Sequence, residues 1–171
     1  MAGRHRFVVD PATSGVVVEA RSNMGPVSFA TRDIRGWLEA AVSEGWIALD
    51  PAPSAELELD LRTLRSGNPL YDAELAQRLD VRRHPEARIS LEAARRLDGR
   101  YRVAGSVSLH GETRTLEGSV SAEGDAGGGW RVTGEQVFDI RDFGISAPSV
   151  LMLRIFPDVK VHLVLQLAAE D

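Results

Sequence analysis

The chain contains no cysteine. That excludes a disulfide scaffold, a thiolate metal site and a thiol nucleophile together. Lysine is almost missing too: Lys160 stands alone among 20 basic residues, and the remainder are arginines spread along the whole chain. We read that spread as a genomic bias rather than as chemistry. An excess of positive charge is also lacking. Against those 20 basic residues stand 25 acidic ones, for a net charge of −5, so no basic region presents a nucleic-acid footprint. Long apolar runs are absent. The first one, Phe7-Val8-Val9, stops at Asp10-Pro11, far short of the roughly 7–15 residues of a secretory apolar region. Nothing approaches the roughly 18 apolar residues of a spanning helix. These absences predict a soluble, cytoplasmic protein that is not transmembrane and has no nucleic-acid partner.

What is present reads as an ordinary globule: 171 residues, 43% hydrophobic and 26% charged. One domain, residues 1–171, is expected, with a core over about 5–168. The dominant hydrophobic period is two, the signature of half-buried strands. Leu57, Leu59 and Leu61 alternate with Glu56, Glu58 and Asp60, and Ile89 and Leu91 alternate with Arg88, Ser90 and Glu92. Tyr101, Val103, Gly105, Val107 and Leu109 form one face of a third strand; Leu116, Gly118, Val120 and Ala122 form another. Trp130 to Ile140 and Val159 to Leu167 continue the pattern, as do Phe7 with Val9, Val16 with Val18, and Ile34 to Val42. Eight or nine strands with turns at Asp98-Gly99, His110-Gly111 and Gly124 to Gly129 predict an all-β fold. One-sided alternation implies antiparallel pairing with one wet face, and closure into an eight-stranded barrel removes the exposed edges.

One helix interrupts the strands. Asn68 can cap it, Pro69 suits the first helical position, Asp72 and Glu74 suit its positive end, and Pro85 lies beyond its end. Leu70, Leu75 and Leu79 give it an apolar side. It serves either as a lid or plug across one barrel opening or as a plain connector.

Gly36, Gly105, Gly118 and Gly134 fall mid-strand on the inward face. Such glycines mark strong curvature or a close approach, or their missing side chains leave a cavity, since an eight-stranded barrel can be filled or hold one ligand. Periodicity does not separate a packed core from a hollow one. If the barrel is hollow, its wall is apolar and suits a long apolar ligand. The candidates for that wall are Phe7, Val18, Gly36, Leu59, Leu91, Val103, Gly105, Val107, Gly118, Val120, Val132, Gly134, Phe138, Val161 and Leu163, with Gln136 as the polar exception. Arg83, near the helix end, and Arg141, in the late loop, are the candidates for a polar headgroup.

Catalytic signals are weak. His5, His84, His110 and His162 have no metal-ligand spacing, and no serine sits in a GxSxG elbow. Gly127-Gly128-Gly129 lacks the lysine and hydroxyl residue of a phosphate loop, and Asp142-Phe143-Gly144 lacks every other kinase element. Neither an enzyme nor a cofactor or metal is expected.

Several segments together resemble the YceI-like family, bacterial lipocalin-like barrels that bind polyisoprenoids. Phe7-Val8-Val9-Asp10 with Ser14-Gly15-Val16 resembles its first strand and turn, and Ile34-Arg35-Gly36-Trp37-Leu38 its second hairpin. Asn68 to Leu79 stands where the family has a short helix, followed by His84-Pro85. Tyr101 to Gly105 leading to Leu109-His110-Gly111-Glu112-Thr113, and Ile140-Arg141-Asp142-Phe143-Gly144-Ile145, are similar to its most recognisable stretches. The family's helix commonly begins Arg-Asp-x-His-Leu, whereas Tyr71-Asp72-Ala73-Glu74-Leu75 keeps only the aspartate and leucine. The resemblance implies a barrel that binds or carries a long-chain isoprenoid or similar amphiphilic lipid. The alternatives are a packed barrel acting as a protein-interaction or structural module, and an enzyme acting on a lipid-like substrate.

Overall fold

The computed structural model describes residues 3–170. Its strands are β1 (Arg4–Val9), β2 (Gly15–Ser22), β3 (Gly25–Thr31), β4 (Ile34–Ser43), β5 (Trp46–Ile47) and β6 (Ser54–Asp60). After helix α1 (Pro69–Leu79) follow β7 (Glu86–Leu97), β8 (Arg100–Leu109), β9 (Glu112–Gly124), β10 (Trp130–Asp139), β11 (Ser149–Val150) and β12 (Leu153–Ala169). Eight of them close a ring in the order β1-β4-β6-β7-β8-β9-β10-β12, with β12 returning to β1, and every pairing in it is antiparallel. The fold is therefore a closed eight-stranded antiparallel barrel. Among the described residues no helix is long and apolar enough to cross a membrane.

Strand β12 is long enough to serve two partners on one edge. Its Ile155–Val164 stretch pairs with β2, and Leu167–Ala169 pairs with β1. The β2–β3 hairpin thus extends the wall beside β1. Alternation does not reveal β3, because Gly25 and Pro26 dilute a seven-residue strand whose fully buried apolar side chain is Phe29. Three tight turns, Glu44-Gly45, Asp98-Gly99 and His110-Gly111, have positive φ at both residues. That is the backbone twist that suits two-residue hairpins.

The helix begins and ends for local reasons. The Asn68 side chain accepts from the N–H groups of Leu70 and Tyr71, Pro69 occupies the first turn, and Asp80 closes the far end in the left-handed conformation. Tyr71, Leu75 and Leu79 pack inward. Leu70 does not: it is 61% exposed.

Two apolar clusters occupy the interior. One, at the helix end, joins Leu79 to Leu61, Leu64, Ile140, Phe143 and Ile145. Two single-turn 3-10 segments, Leu61–Thr63 and Ile140–Phe143, supply three of these six side chains, and Leu64 directly follows the first. Each follows an aspartate, Asp60 or Asp139, whose carboxylate accepts the N–H of the residue two positions on. The other cluster, at the opposite end, gathers Phe7, Val9, Val16, Ile34, Leu38, Tyr101, Trp130 and Leu167.

Candidate functional site

Within the barrel, walled mostly by side chains of the second cluster and bordered by Val107 of the first, lies a cavity of about 270 Å³, near the lower end of small-molecule pockets, which run roughly 300–1,000 Å³. Of the residues the sequence places on its wall, Leu91, Val103, Gly105, Val107, Gly118, Val120, Val132, Gly134, Phe138, Val161 and Leu163 do line it. Their alternation on β7 to β10 and β12 points them all to the same side. Gln136 lines it too, with its amide against the Val137 carbonyl at 3.4 Å.

Four of the sequence candidates lie elsewhere. Phe7 is packed within the second cluster, behind its strand neighbour Leu38. Val18 and Leu59 pack against both clusters and do not border the cavity. Gly36 is a point of close approach: a Cβ there would run into the Glu56 carbonyl oxygen and lie 2.6 Å from Leu57 Cδ2. Gly105 lines the cavity but is also constrained, since a Cβ would strike the Ser90 carbonyl oxygen. By contrast, a Cβ at Gly118 meets only the Gln136 carboxamide, at 2.9 Å, and one at Gly134 meets a Val120 methyl at 3.0 Å. Curvature thus accounts for two of the four glycines, while the other two border open space.

The wall has a gap. Pairing of β6 with β7 runs from Asp60↔Glu86 only as far as Glu56↔Ser90. Beyond Ser90, β7 pairs with β8 alone, so Ser54 and Ala55 of β6 hydrogen-bond only towards β4. Leu49, Pro53 and Ala55 border the cavity on one side of this gap, Leu91 and Ala94 on the other. Ile89 faces inward yet is 37% exposed, as a side chain beside an opening must be. A latch bounds the gap on its far side: the Ile47 N–H donates to Tyr101 Oη at 2.9 Å, and Trp46 meets the Tyr101 ring edge-on at 6.1 Å.

The structure does not bring Arg83 or Arg141 to this cavity. Both sit beside the helix end, which Phe143, Leu79 and their neighbours fill. Arg141 is engaged by Asp139 through Nη2 at 2.7 Å and Nε at 3.0 Å, a pairing that holds the Asp139 carboxyl below its ordinary range. Arg83 is 82% exposed and its nearest carboxylate is Asp80, at 3.8 Å.

The remaining chemical motifs have structural roles. Phe143 is buried and Gly144 ends its 3-10 turn at φ 70°, so Asp142-Phe143-Gly144 is a turn. The Asp125 carboxylate accepts the N–H groups of Gly127 and Gly129 at 2.9 Å, and those bonds lower its pKa. Glu56 and Glu58 lie outside the barrel, paired with Arg88 at 3.4 and 2.7 Å. His84 and His110, far apart in sequence, meet edge-on at 5.5 Å, and His110 Nδ1 lies 3.1 Å from the Phe143 carbonyl oxygen. Among the described residues no group of three His, Cys, Asp or Glu could hold a metal ion.

Comparison with known proteins follows the same lines. A family model described as a YceI-like domain matches residues 7–167. Among solved structures, BcnA of Burkholderia cenocepacia is 17% identical, with 92% of this chain and 98% of that one covered at a TM-score of 0.79. A polyisoprenoid binding domain from Saccharophagus degradans, implicated in plant cell wall breakdown, is 14% identical, covering 96% and 98% at 0.74. The YceI protein of Campylobacter jejuni is 12% identical, covering 81% and 82% at 0.65. A search of curated proteins gave no match.

Proposed function

Because the chain belongs to the YceI-like family, we propose that it binds and carries a long-chain isoprenoid or similar amphiphilic lipid and does no chemistry on it. The observation that carries this reading is an apolar cavity reached through a break in the wall, with glycines where larger side chains would fill it. The chain of the lipid enters between β6 and the β7–β8 hairpin and lies against Leu91, Val103, Val120, Val132 and Leu163. Each buried methylene contributes about 0.8 kcal/mol, so ten or more carbons offset the cost of association with affinity to spare. A structural neighbour of the same fold is a polyisoprenoid binding domain by its own description, which supports the ligand class.

The test is binding of a fluorescent long-chain probe to the wild type and to Gly118→Leu, together with lipid mass spectrometry of the purified protein. Leucine at 118 extends into the cavity, displacing only the end of Gln136. The variant is expected to melt within a few degrees of the wild type and to lose probe binding. A wild type that binds no probe, joined to a variant that unfolds, would mean a packed barrel instead.

A further inference from the structure

The rim of the cavity carries a charge that simple alternation hides. On β7, Leu91 pairs with Gly105 but Ala93 pairs with Ala104, so Glu92 is an extra residue in the strand. Such a bulge reverses which side chains face in. Beyond it the inward positions are Ala94, opposite Val103, and Arg96, opposite Tyr101. Ala94, Val103 and Tyr101 all line the cavity. Arg96 is therefore the next inward position after Ala94, and it stands at the latch that bounds the opening.

Its surroundings prepare it to receive an anion. The guanidinium carbon lies 3.8 Å from the centroid of the Trp46 ring. Stacking of this kind covers one face of the planar group and leaves its in-plane N–H donors for an oxyanion. Among the described residues, the Arg96 side chain makes no ion pair and donates no hydrogen bond, although the protein as a whole has net charge −5. Arg95 and Arg100 flank it on the same hairpin, likewise without ion pairs among the described residues. An accessible, immobilised guanidinium beside an apolar cavity matches an amphiphile with a charged head.

We propose that Arg96, held by Trp46, binds the phosphate-type oxyanion head of the lipid whose chain occupies the cavity. This rests on the lipid-binding reading and specifies its ligand as anionic. The bidentate fork of arginine suits such a head, and a charge-assisted pair is the stronger kind of hydrogen bond.

Farnesyl pyrophosphate, farnesol and inorganic pyrophosphate are the probes, each competed against the fluorescent chain and measured also by calorimetry. The wild type is expected to bind farnesyl pyrophosphate about tenfold or more tightly than farnesol. Added salt should weaken the first and leave the second unchanged. Arg96→Gln should remove that preference while keeping farnesol affinity, and Arg96→Lys, which retains the charge, should restore part of it. Inorganic pyrophosphate should not bind at millimolar concentration. If it binds to the wild type and not to Arg96→Gln, the site takes free anions and the lipid-head assignment is overturned. If farnesol binds while Arg96→Gln and Arg96→Lys keep the full preference for farnesyl pyrophosphate, Arg96 is not the head contact and the cavity reading stands. If a folded wild type binds neither farnesyl compound, the cavity reading fails and this inference falls with it.

Discussion

The two halves of the barrel interior share one hydrophobic pattern and end in opposite states. At the helix end the axis is filled by side chains that do not come from the ring strands: Leu61, Leu64, Leu79, Phe143 and Ile145 belong to α1, the 3-10 turns and the segments beside them. In the other half the ring strands supply most of the wall, with Ile47, Leu49 and Pro53 along one side, and Ala94, Gly118, Ala122 and Gly134 are too small to reach across. A barrel of this size is hollow by default and becomes solid where an irregular segment is folded into it. The location of the plug decides where a ligand can lie. It also explains why the arginines near α1 are far from the cavity while the hairpin arginines are near it.

The largest effect should come from emptying the filled half. Phe143 is 1% exposed and packs near Phe138, with ring centroids 6.3 Å apart. Phe143→Ala should cost about 3–5 kcal/mol, read as a lower urea midpoint. A loss below about 1 kcal/mol would mean that the plug contributes no rigid core, and the contrast between the halves would collapse.

A smaller effect separates curvature from space within the hollow half. Gly105→Ala places a methyl against the Ser90 carbonyl oxygen, a backbone atom that cannot rotate away. We expect about 1–3 kcal/mol of destabilisation. Gly118→Ala meets only a flexible carboxamide and removes the conformational freedom of a mid-strand glycine, so its stability should stay within about 0.5 kcal/mol of wild type or rise. Equal losses at the two positions would show that both glycines serve curvature alone.

Much of this contrast was legible in the amino-acid pattern, and some was not. The rows on β8 to β10 and β12, and on β7 as far as Leu91, follow from alternation, because most outward residues there are polar and the inward ones apolar or glycine. The helix was legible from Asn68, Pro69 and the terminating Pro85. Alternation fails where the backbone departs from it. The bulge at Glu92 moves Arg96 inward without any signature in residue type, so the residue pattern points to Arg83 and Arg141 and not to the arginine at the rim. Ile47, Leu49 and Pro53 belong to a two-residue strand and an irregular segment, which have no period to read. Phe7, Val18 and Leu59 face inward as expected, but facing inward does not tell a side chain whether its neighbours leave room.

The smallest effect sharpens the comparison by acting on the plug alone. Glu74 of α1 accepts from Arg78 Nε at 2.6 Å and from the Ser149 N–H at 3.3 Å, so it ties the helix to β11. The bond from Arg78, and after it the Ser149 N–H, lower its pKa below the ordinary 4.5 against an opposing push from burial. A carboxyl depressed in the folded state contributes stability that is fully present above its unfolded pKa. That contribution is lost as pH falls through the folded value. Glu74→Gln should therefore cost about 0.3–1 kcal/mol at neutral pH. The cost should shrink as the pH is lowered below the ordinary carboxylate range and through the depressed folded value, where the wild-type carboxyl takes up its proton as well. Thermal melts of both proteins across that range measure the converging difference. Probe binding at neutral pH should be the same in the two, because Glu74 lies at the filled end and does not line the cavity. A Glu74→Gln protein that binds the probe more weakly at unchanged stability would show that the plug and the cavity are coupled, and that the helix acts on ligand entry from the far end of the barrel.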